Sequence, residues 1–144
     1  MTDNRTEYEN FNRNLIEHFR ANRGAIHEGP FKGGAILLLT TTGKRSGQPR
    51  VNPLAYTRDG DRYVVIASKG GAPTHPDWYR NLVANSEVTV EVGGERFTAR
   101  ATPAEGDERD RLFDAQAKRM PGFAQYQRNT TRRIPVVVLE RLTA

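Results

Sequence analysis

The densest group of residues that could hold an anion is the segment 43–50, which reads Gly-Lys-Arg-Ser-Gly-Gln-Pro-Arg. Lysine and arginine donate charge-assisted hydrogen bonds to phosphates and carboxylates. Glycines let backbone N–H groups come close to such an anion. The spacing of a Walker loop is absent, and no helix pattern follows. The segment is therefore an anion-binding turn between two strands or, as the alternative, a solvated hairpin tip.

Two further segments could hold the same ligand. Residues 67–71 read Ala-Ser-Lys-Gly-Gly at the end of a predicted strand, and residues 76–81 open a predicted helix. Backbone donors are free at such positions. The alternatives are that Trp78 packs in the core and that Asn81 lies on an exposed helix face.

Other kinds of site find no support in the sequence. The chain has no cysteine, and its three histidines are not paired at the spacing of metal ligands. No acid–base dyad is evident, and the serines lie outside any nucleophile-elbow motif. We expect no metal, and if the protein is an enzyme, a bound cofactor carries the difficult chemistry.

The charge of the chain favours an anionic partner. The formal net charge is +5 and the pI is about 9.9. The basic residues are spread out rather than blocked, so we expect an anionic small molecule rather than nucleic acid. No apolar run reaches the length of a bilayer span, and the N-terminus is unlike a signal peptide. These features predict a cytoplasmic protein.

Hydrophobic periodicity predicts about six strands, with two or three helices inserted or flanking, in a single domain spanning 1–144. Most strands follow one another as hairpins, which predicts an α+β, mainly β fold: an antiparallel barrel with flanking helices. Thr74 or His75 is expected to cap the second helix, and Asn85 to end it in a left-handed conformation. The predicted strands are 35–42, 50–57, 62–68, 87–92, 96–102 and 134–139, and the predicted helices are 6–22, 76–85, 106–119 and a short one around 123–126.

The first helix, within residues 1–23, is amphipathic. Its apolar positions Tyr8, Phe11, Leu15 and Phe19 recur at helical spacing. We expect this face to pack on a barrel core that spans 34–142. A mobile lid or a peripheral membrane contact is the alternative.

Three blocks in a fixed order carry a resemblance to a known family. They are the stretch Leu39–Leu54, the stretch Ala67–Gly71 and the stretch Pro76–Asn85. Together they resemble the deazaflavin-dependent nitroreductase family of split β-barrel proteins, over about Gly34 to Leu139. The resemblance implies a split β-barrel reductase that transfers a hydride from the reduced deazaflavin coenzyme F-420 to an electron-poor acceptor, namely an enone, a quinone or a nitro compound.

The resemblance also implies roles for individual residues. Tyr126 would be the catalytic residue, and the proton that follows the hydride would come from water or a tyrosine. Met120 and Phe123 stand where the related nitroreductase has tyrosines, which favours a quinone or enone over a polar nitroimidazole. The substrate pocket would comprise Ala55, Tyr56, Met120 and Phe123, and the coenzyme would contact Gly43, Lys44, Arg45, Ser46, Gly47, Arg50, Asn52, Pro53, Ala67, Ser68, Lys69, Gly70, Trp78 and Asn81.

Other functions remain open at this point. The same barrel could bind FMN, or the protein could be a non-enzymatic carrier of a lipophilic anion or a nucleic-acid-binding module. The expected partner is a small-molecule electron acceptor, and the protein is expected to be a monomer or a homodimer.

Overall fold

Six antiparallel strands form a closed barrel in the computed structural model, which describes residues 4–27, 29 and 31–142. Around the ring the strands follow the order β1-β2-β3-β6-β5-β4. The predicted split-barrel fold class is therefore confirmed. The strands are β1 (Ile36–Thr42), β2 (Pro49–Asp59), β3 (Arg62–Ile66), β4 (Glu87–Val92), β5 (Glu95–Pro103) and β6 (Val136–Arg141).

Helices flank this barrel in the predicted order. They are α1 (Asn4–Ala21), α2 (Asp77–Ala84), α3 (Gly106–Arg119) and α4 (Gly122–Arg128), and a 3-10 turn covers Lys69–Gly71. The side chains of residues 4–6 and of Tyr8 are not described, so the expected packing of Tyr8 lies outside the described residues, as do residues 1–3 and 143–144.

The barrel interior is built from alternate residues of every strand. In β4, Val88, Val90 and Val92 point inward, as their alternation predicts. Helix α2 closes one end with Trp78 and Leu82, which are buried in the same cluster. This burial is why a short, two-turn helix is stable at that place.

The outer faces of two strand pairs are also apolar because helices cover them. Helix α1 lays Phe19 over Ile36 and Leu38 of β1. Helix α3 lays Leu112 and Phe113 over the outer face of β3 and β6. Strands β1 and β6 are apolar on both faces for this reason.

The C-terminal end of α1 is fastened to the β4–β5 turn. The Arg20 guanidinium donates to both carboxylate oxygens of Glu91, at 3.0 and 2.8 Å. Gly24, at φ +86°, lies so close to the turn that a Cβ atom would come within 2.7 Å of the Gly93 nitrogen. Only glycine accepts both this conformation and this distance.

The barrel has an opening between β2 and β3. Residues 49–55 of β2 pair with β1 alone, and β3 joins β2 only over residues 56–59. The first half of β2 therefore has a free side. This opening is the split of the barrel.

Pro53 lies on that free side. The Tyr56 N–H donates to the Ala35 carbonyl, 3.2 Å away. Because N–H and C=O directions alternate along an antiparallel strand, the backbone groups of Val51, Pro53 and Ala55 face the opening. The missing N–H of Pro53 costs no hydrogen bond with β1, and the proline marks a local edge, as the sequence predicts.

The predicted ends of α2 are wrong in detail. The helix begins at Asp77 after Pro76, with no side-chain cap. The side chains expected to cap it have other partners: Thr74 accepts from Lys69 and His75 contacts Arg132. Asn85 is extended at φ −144°, since β4 begins two residues later.

Candidate active site

A cleft of about 1480 Å³ runs along the split of the barrel. The first half of β2 forms its floor, and the β1–β2 turn lies at one end. One flank is α1, and the opposite flank combines Ile66, the Ser68–Lys69 segment, the start of α2 and part of α4. The three blocks that the sequence singles out thus meet in one cleft.

The β1–β2 turn is a compact loop closed by its own backbone. The Gly43 N–H donates to the Gln48 carbonyl at 2.8 Å, and the Gly47 N–H donates to the Gly43 carbonyl at 2.9 Å. The Ser46 hydroxyl accepts from the Gln48 N–H at 3.2 Å. A Cβ atom on Gly43 would come within 2.4 Å of that hydroxyl oxygen, so glycine is required there for the turn to close.

Asn81 of α2 holds this turn against the barrel. Its side-chain oxygen accepts from the Lys44 N–H at 3.0 Å, and its amide nitrogen donates to the Thr41 hydroxyl at 3.1 Å. The residue is only 7% exposed, so the alternative of an exposed helix face is wrong. Asn81 also lines the cleft, although its side-chain oxygen is already bonded to the Lys44 N–H of the turn.

Three cations of the turn are left without an anionic partner. The side chains of Lys44, Arg45 and Arg50 line the cleft. Within the described part of the chain they form no salt bridge or side-chain hydrogen bond. Unpaired cations beside free backbone N–H groups are the donor set that a phosphate requires.

The Ser68–Lys69 segment forms the opposite edge of the split. Ser68 is 9% exposed and lines the cleft together with Lys69. The Lys69 ammonium donates to the Thr74 hydroxyl at 3.2 Å. Its backbone lies in the left-handed region, at φ 48°, which is uncommon outside glycine and asparagine.

The end of the cleft beside Ala55 is mostly apolar. Ala55, on the outer face of β2, lies near Phe123 and Tyr126 of α4. The two α4 rings meet edge to face, with centroids 5.7 Å apart. Across the cleft stand the α1 residues Leu15 and Ile16. A planar apolar molecule fits such walls, and the Tyr126 side chain is part of this lining.

The structure places four of the predicted site residues outside the lining of the cleft. Tyr56 points into the barrel, where its ring lies 5.4 Å from that of Tyr63, and burial raises its pKa. Ala67 is fully buried, and its N–H and C=O are taken by Pro135 and Arg132. The other two, Gly47 and Met120, also lie outside this lining. The predicted contact of Gly70 lies outside what the structure describes.

Sequence reasoning missed two sets of residues around the cleft. One is the inward face of α1, including Asn12, Arg13 and Arg20. The other is Arg132, whose guanidinium donates to the backbone carbonyls of Ala67 and Ser68. The helical periodicity identified α1 but not the surface that it covers, and nothing local marks Arg132.

The donor set fits an anionic, flavin-like coenzyme. Cations lie unpaired at one end of the cleft, and free backbone groups of β2 face its middle. Trp78 offers a ring edge, since most of it is buried in the barrel. Among the described residues, no cluster of three metal-ligating side chains exists. The fold and site together define a split-barrel oxidoreductase that works with an organic coenzyme.

Comparison with known proteins specifies that class. The family model for F420H(2)-dependent quinone reductases matches residues 11–141. The F420H(2)-dependent quinone reductase Rv1261c of Mycobacterium tuberculosis is 46% identical over 108 residues, which cover 73% of this chain and 72% of the relative. The chain therefore belongs to the F420H(2)-dependent quinone reductase family. It is an oxidoreductase whose cofactor is coenzyme F-420, and the FMN alternative finds no support.

Solved structures agree with this assignment. An F-420-dependent reductase called FDR-A is 40% identical, with a TM-score of 0.68, over 74% of this chain and 94% of its own. A second structure, described as a domain-swapped dimer, is 34% identical with a TM-score of 0.70 and covers 94% of this chain and 98% of its own. Both similarities extend over the barrel that carries the cleft.

Proposed function

We propose that the cleft along the split binds coenzyme F-420 at its cationic end and a quinone at its apolar end. The observation that carries this proposal is the single continuous cleft that joins unpaired cations to an apolar wall beside Tyr126. When bound, the reduced coenzyme supplies the hydride.

The coenzyme's phosphate binds Lys44, Arg45 and Arg50. These side chains need not break an existing ion pair to do so, because none holds them in the described structure. The ring system lies along Asn52 and Pro53 and against Ser68 and the edge of Trp78. Hydrogen-bond donors and acceptors for it come from the free backbone side of β2.

The acceptor lies between Ala55, Phe123 and α1. Met120 plays no direct part, since it does not line the cleft. Apolar walls favour a quinone over a polar nitro compound, because the nitro oxygens would lose more hydrogen bonds to water than the Tyr126 hydroxyl can replace. Enones are the second acceptor class that these walls accommodate.

Tyr126 gives the proton that follows the hydride. Its ring is held by Phe123 on one side and its backbone is packed against Gly71 on the other. A fixed phenol near the acceptor is able to donate a proton as the reduced oxygen gains negative charge.

The proposal is tested by oxidation of the reduced coenzyme with menadione. Lys44→Ala with Arg45→Ala is expected to weaken coenzyme binding by about 10–100-fold, because charge-assisted hydrogen bonds to phosphate are lost. Tyr126→Phe is expected to lower kcat by about 10²-fold with little change in coenzyme affinity. The matched control is Arg96→Ala on the outer surface of β5. Unchanged coenzyme affinity in the double variant would overturn the site.

We further propose that the protein is a homodimer. The solved domain-swapped relative supports this, since it covers nearly the whole of this chain. Sedimentation equilibrium at micromolar concentration is the test, and a monomer throughout that range contradicts the proposal.

A peripheral contact between the protein and a membrane surface is a further part of this proposal. The rings of Phe11 and Phe31 are 41% and 40% exposed, lie 6.1 Å apart and line the cleft. No helix among the described residues has both the length and the apolarity to cross a bilayer. Co-sedimentation with anionic vesicles, lost in Phe11→Ser with Phe31→Ser, would support a surface contact, and equal sedimentation of both proteins would refute it.

A further inference from the structure

A strained backbone lies at the edge of the cleft. Lys69 has φ 48°, and Gly71, two residues later, has φ 82°. A lysine in the left-handed region costs free energy and persists only where its surroundings impose it. The surroundings of the Ser68–Gly71 segment must therefore contain the groups that impose its shape.

One side chain supplies most of those contacts. The Arg132 guanidinium donates to the carbonyls of Ala67 at 3.1 Å, Ser68 at 2.7 Å and Ala72 at 3.0 Å. These carbonyls flank the strained residue on both sides. A planar guanidinium presents its donors in a rigid fork, so it fixes their relative positions in a way that an ammonium group does not.

Arg132 is itself held in place. Its carbonyl accepts from the Gln127 side chain at 2.8 Å, and its N–H donates to the Thr130 hydroxyl at 3.1 Å. Gly71 rests on the same region, because a Cβ atom there would come within 2.8 Å of the Tyr126 carbonyl oxygen. The segment is thus braced against α4 and the loop that follows it.

His75 completes the arrangement. Its Nδ1 lies 2.8 Å from an Arg132 nitrogen. Arginine only donates, so Nδ1 accepts and the ring is neutral, with its proton on Nε2. Burial, followed by the charges of Arg132 and Arg80, lowers the pKa of His75. The Tyr79 ring lies 4.9 Å from the imidazole.

We propose that Arg132, with His75 as its acceptor, is the positioning residue that holds the Ser68–Gly71 segment in the conformation competent to bind coenzyme. Arg132 does not touch the cleft itself. It acts through Ser68 and Lys69, so it sets coenzyme affinity and leaves the chemical step alone. The inference rests on the proposed placement of the coenzyme.

The direct test compares Arg132→Gln with Arg133→Gln. Arg133 is the adjacent arginine, 61% exposed and paired only with the exposed Asp110 among the described residues. Arg132→Gln should raise the Kd of coenzyme F-420, measured by quenching of its fluorescence, by about tenfold, as the competent fraction falls. The kcat at saturating coenzyme should stay within about twofold, because the reacting groups are unchanged. Arg133→Gln should match the wild type.

A conservative variant separates positioning from folding. Arg132→Lys keeps the charge and part of the donor set, so its affinity should fall between those of wild type and Arg132→Gln. Wild-type coenzyme affinity in Arg132→Gln would overturn the proposal. A drop in kcat at unchanged Kd would also overturn it.

Protonation of His75 gives a second, independent arm. The protonated ring cannot accept from Arg132, so the wild-type Kd should rise as pH falls from about 7 to about 5. His75→Asn places an amide oxygen near the position of Nδ1 and does not titrate, and it should flatten this dependence. The same pH profile in both proteins would refute the role of His75 and would not depend on the fold of any Arg132 variant.

Amide hydrogen exchange in the protein without coenzyme separates this inference from the function. Residues 68–72 should exchange faster in Arg132→Gln than in Arg133→Gln. If the wild type fails to bind coenzyme, the proposed function falls while this exchange test still decides the role of Arg132. Equal protection in the two variants would overturn that role.

Discussion

At the scale of single residues, the cleft depends on polar side chains that contact backbone rather than ligand. Asn81 satisfies the Lys44 N–H and the Thr41 hydroxyl. Arg132 does the same for the carbonyls around Lys69. Both residues are distant in sequence from the segments that they hold. The cations of the cleft can thus remain free for a ligand because other groups fix their backbone.

Replacing Asn81 tests this separation of roles. Asn81→Leu removes the partner of the part-buried Lys44 N–H and of the buried Thr41 hydroxyl, so we expect the free energy of unfolding to fall by about 1–3 kcal/mol. Coenzyme affinity should fall as well, since the turn loses its support. Asn85→Leu makes the same chemical change at an exposed position beyond the same helix. Urea unfolding of the two variants measures the difference, and equal stabilities would contradict the role given to Asn81.

The sequence identified the residues that offer charge but not those that position them. Lys44, Arg45 and Lys69 were recognisable because their local motifs are distinctive. Arg132 forms its bonds across 60 to 65 positions, a separation that no local pattern encodes. Tyr56 was misplaced because an alternating strand assigns each residue to one of two faces, and only the register of β2 decides which face meets the cleft.

At the scale of elements, α1 forms one wall of the cleft that runs along the split of the barrel. Its apolar face covers β1 and β2. Arg20 in its last turn bonds Glu91, and Gly24 in the loop after the helix contacts Gly93. The sequence predicted an amphipathic helix packed on the core. Leu15, Ile16 and Phe19 pack in this way, whereas Phe11 is exposed beside Phe31. The sequence did not predict that α1 lies along the split, because helical periodicity identifies a buried face but not the surface on which that face packs.

The close contact between Gly24 and Gly93 predicts that a larger residue at position 24 destabilises the protein. Gly24→Ala would place a Cβ within 2.7 Å of backbone at a positive φ, and we expect a loss of about 1–3 kcal/mol of stability. Hydrogen exchange in the last turns of α1 should accelerate. Gly33→Ala is the control, because Gly33 has φ +73° but no atom within 4 Å of the added Cβ. Equal effects of the two changes would show that backbone strain alone, and not the close approach, is responsible.

A second element-scale contact joins the β2–β3 hairpin to α3. The Asp59 carboxylate accepts from Arg111, at 3.2 Å, and from Arg62. These bonds lower the pKa of Asp59 to about 2. A carboxyl whose pKa is lower in the folded state stabilises the protein above its unfolded pKa and loses that contribution as pH falls through the folded value.

Asp59→Asn should therefore change acid unfolding. The variant lacks the group that gains protons between about pH 4 and pH 2. Its stability should decline less steeply than that of the wild type over this window, while starting lower at neutral pH. The control is Asp114→Asn, which changes an exposed carboxylate of α3 outside any described ion pair. Its acid unfolding should match that of the wild type. Parallel acid titrations by circular dichroism measure the slopes.

At the scale of the whole molecule, the excess positive charge and the cleft act together. The net charge is +5, and free cations gather at one end of the cleft. Several other arginines are ion-paired, as in Arg20–Glu91 and Arg141–Glu95. An anionic coenzyme is thus attracted by the whole chain and held at one place.

Coenzyme binding should raise thermal stability in a salt-dependent manner. At a coenzyme concentration about 100 times the Kd, the folded state gains about 2.7 kcal/mol. The increase in Tm should shrink between about 50 mM and 500 mM salt, because exposed cations are screened. Differential scanning fluorimetry measures both effects. An unchanged increase in high salt would mean that the phosphate clamp contributes little to binding.

The position of β6 in the ring has a consequence for synthesis of the chain. This strand, Val136–Arg141, lies between β3 and β5 and pairs with both. Until it emerges from the ribosome, β3 and β5 each present an unpaired edge, which is a template for aggregation. The reductase therefore passes through a vulnerable nascent stage that lasts until β6 has been translated and can pair with both strands.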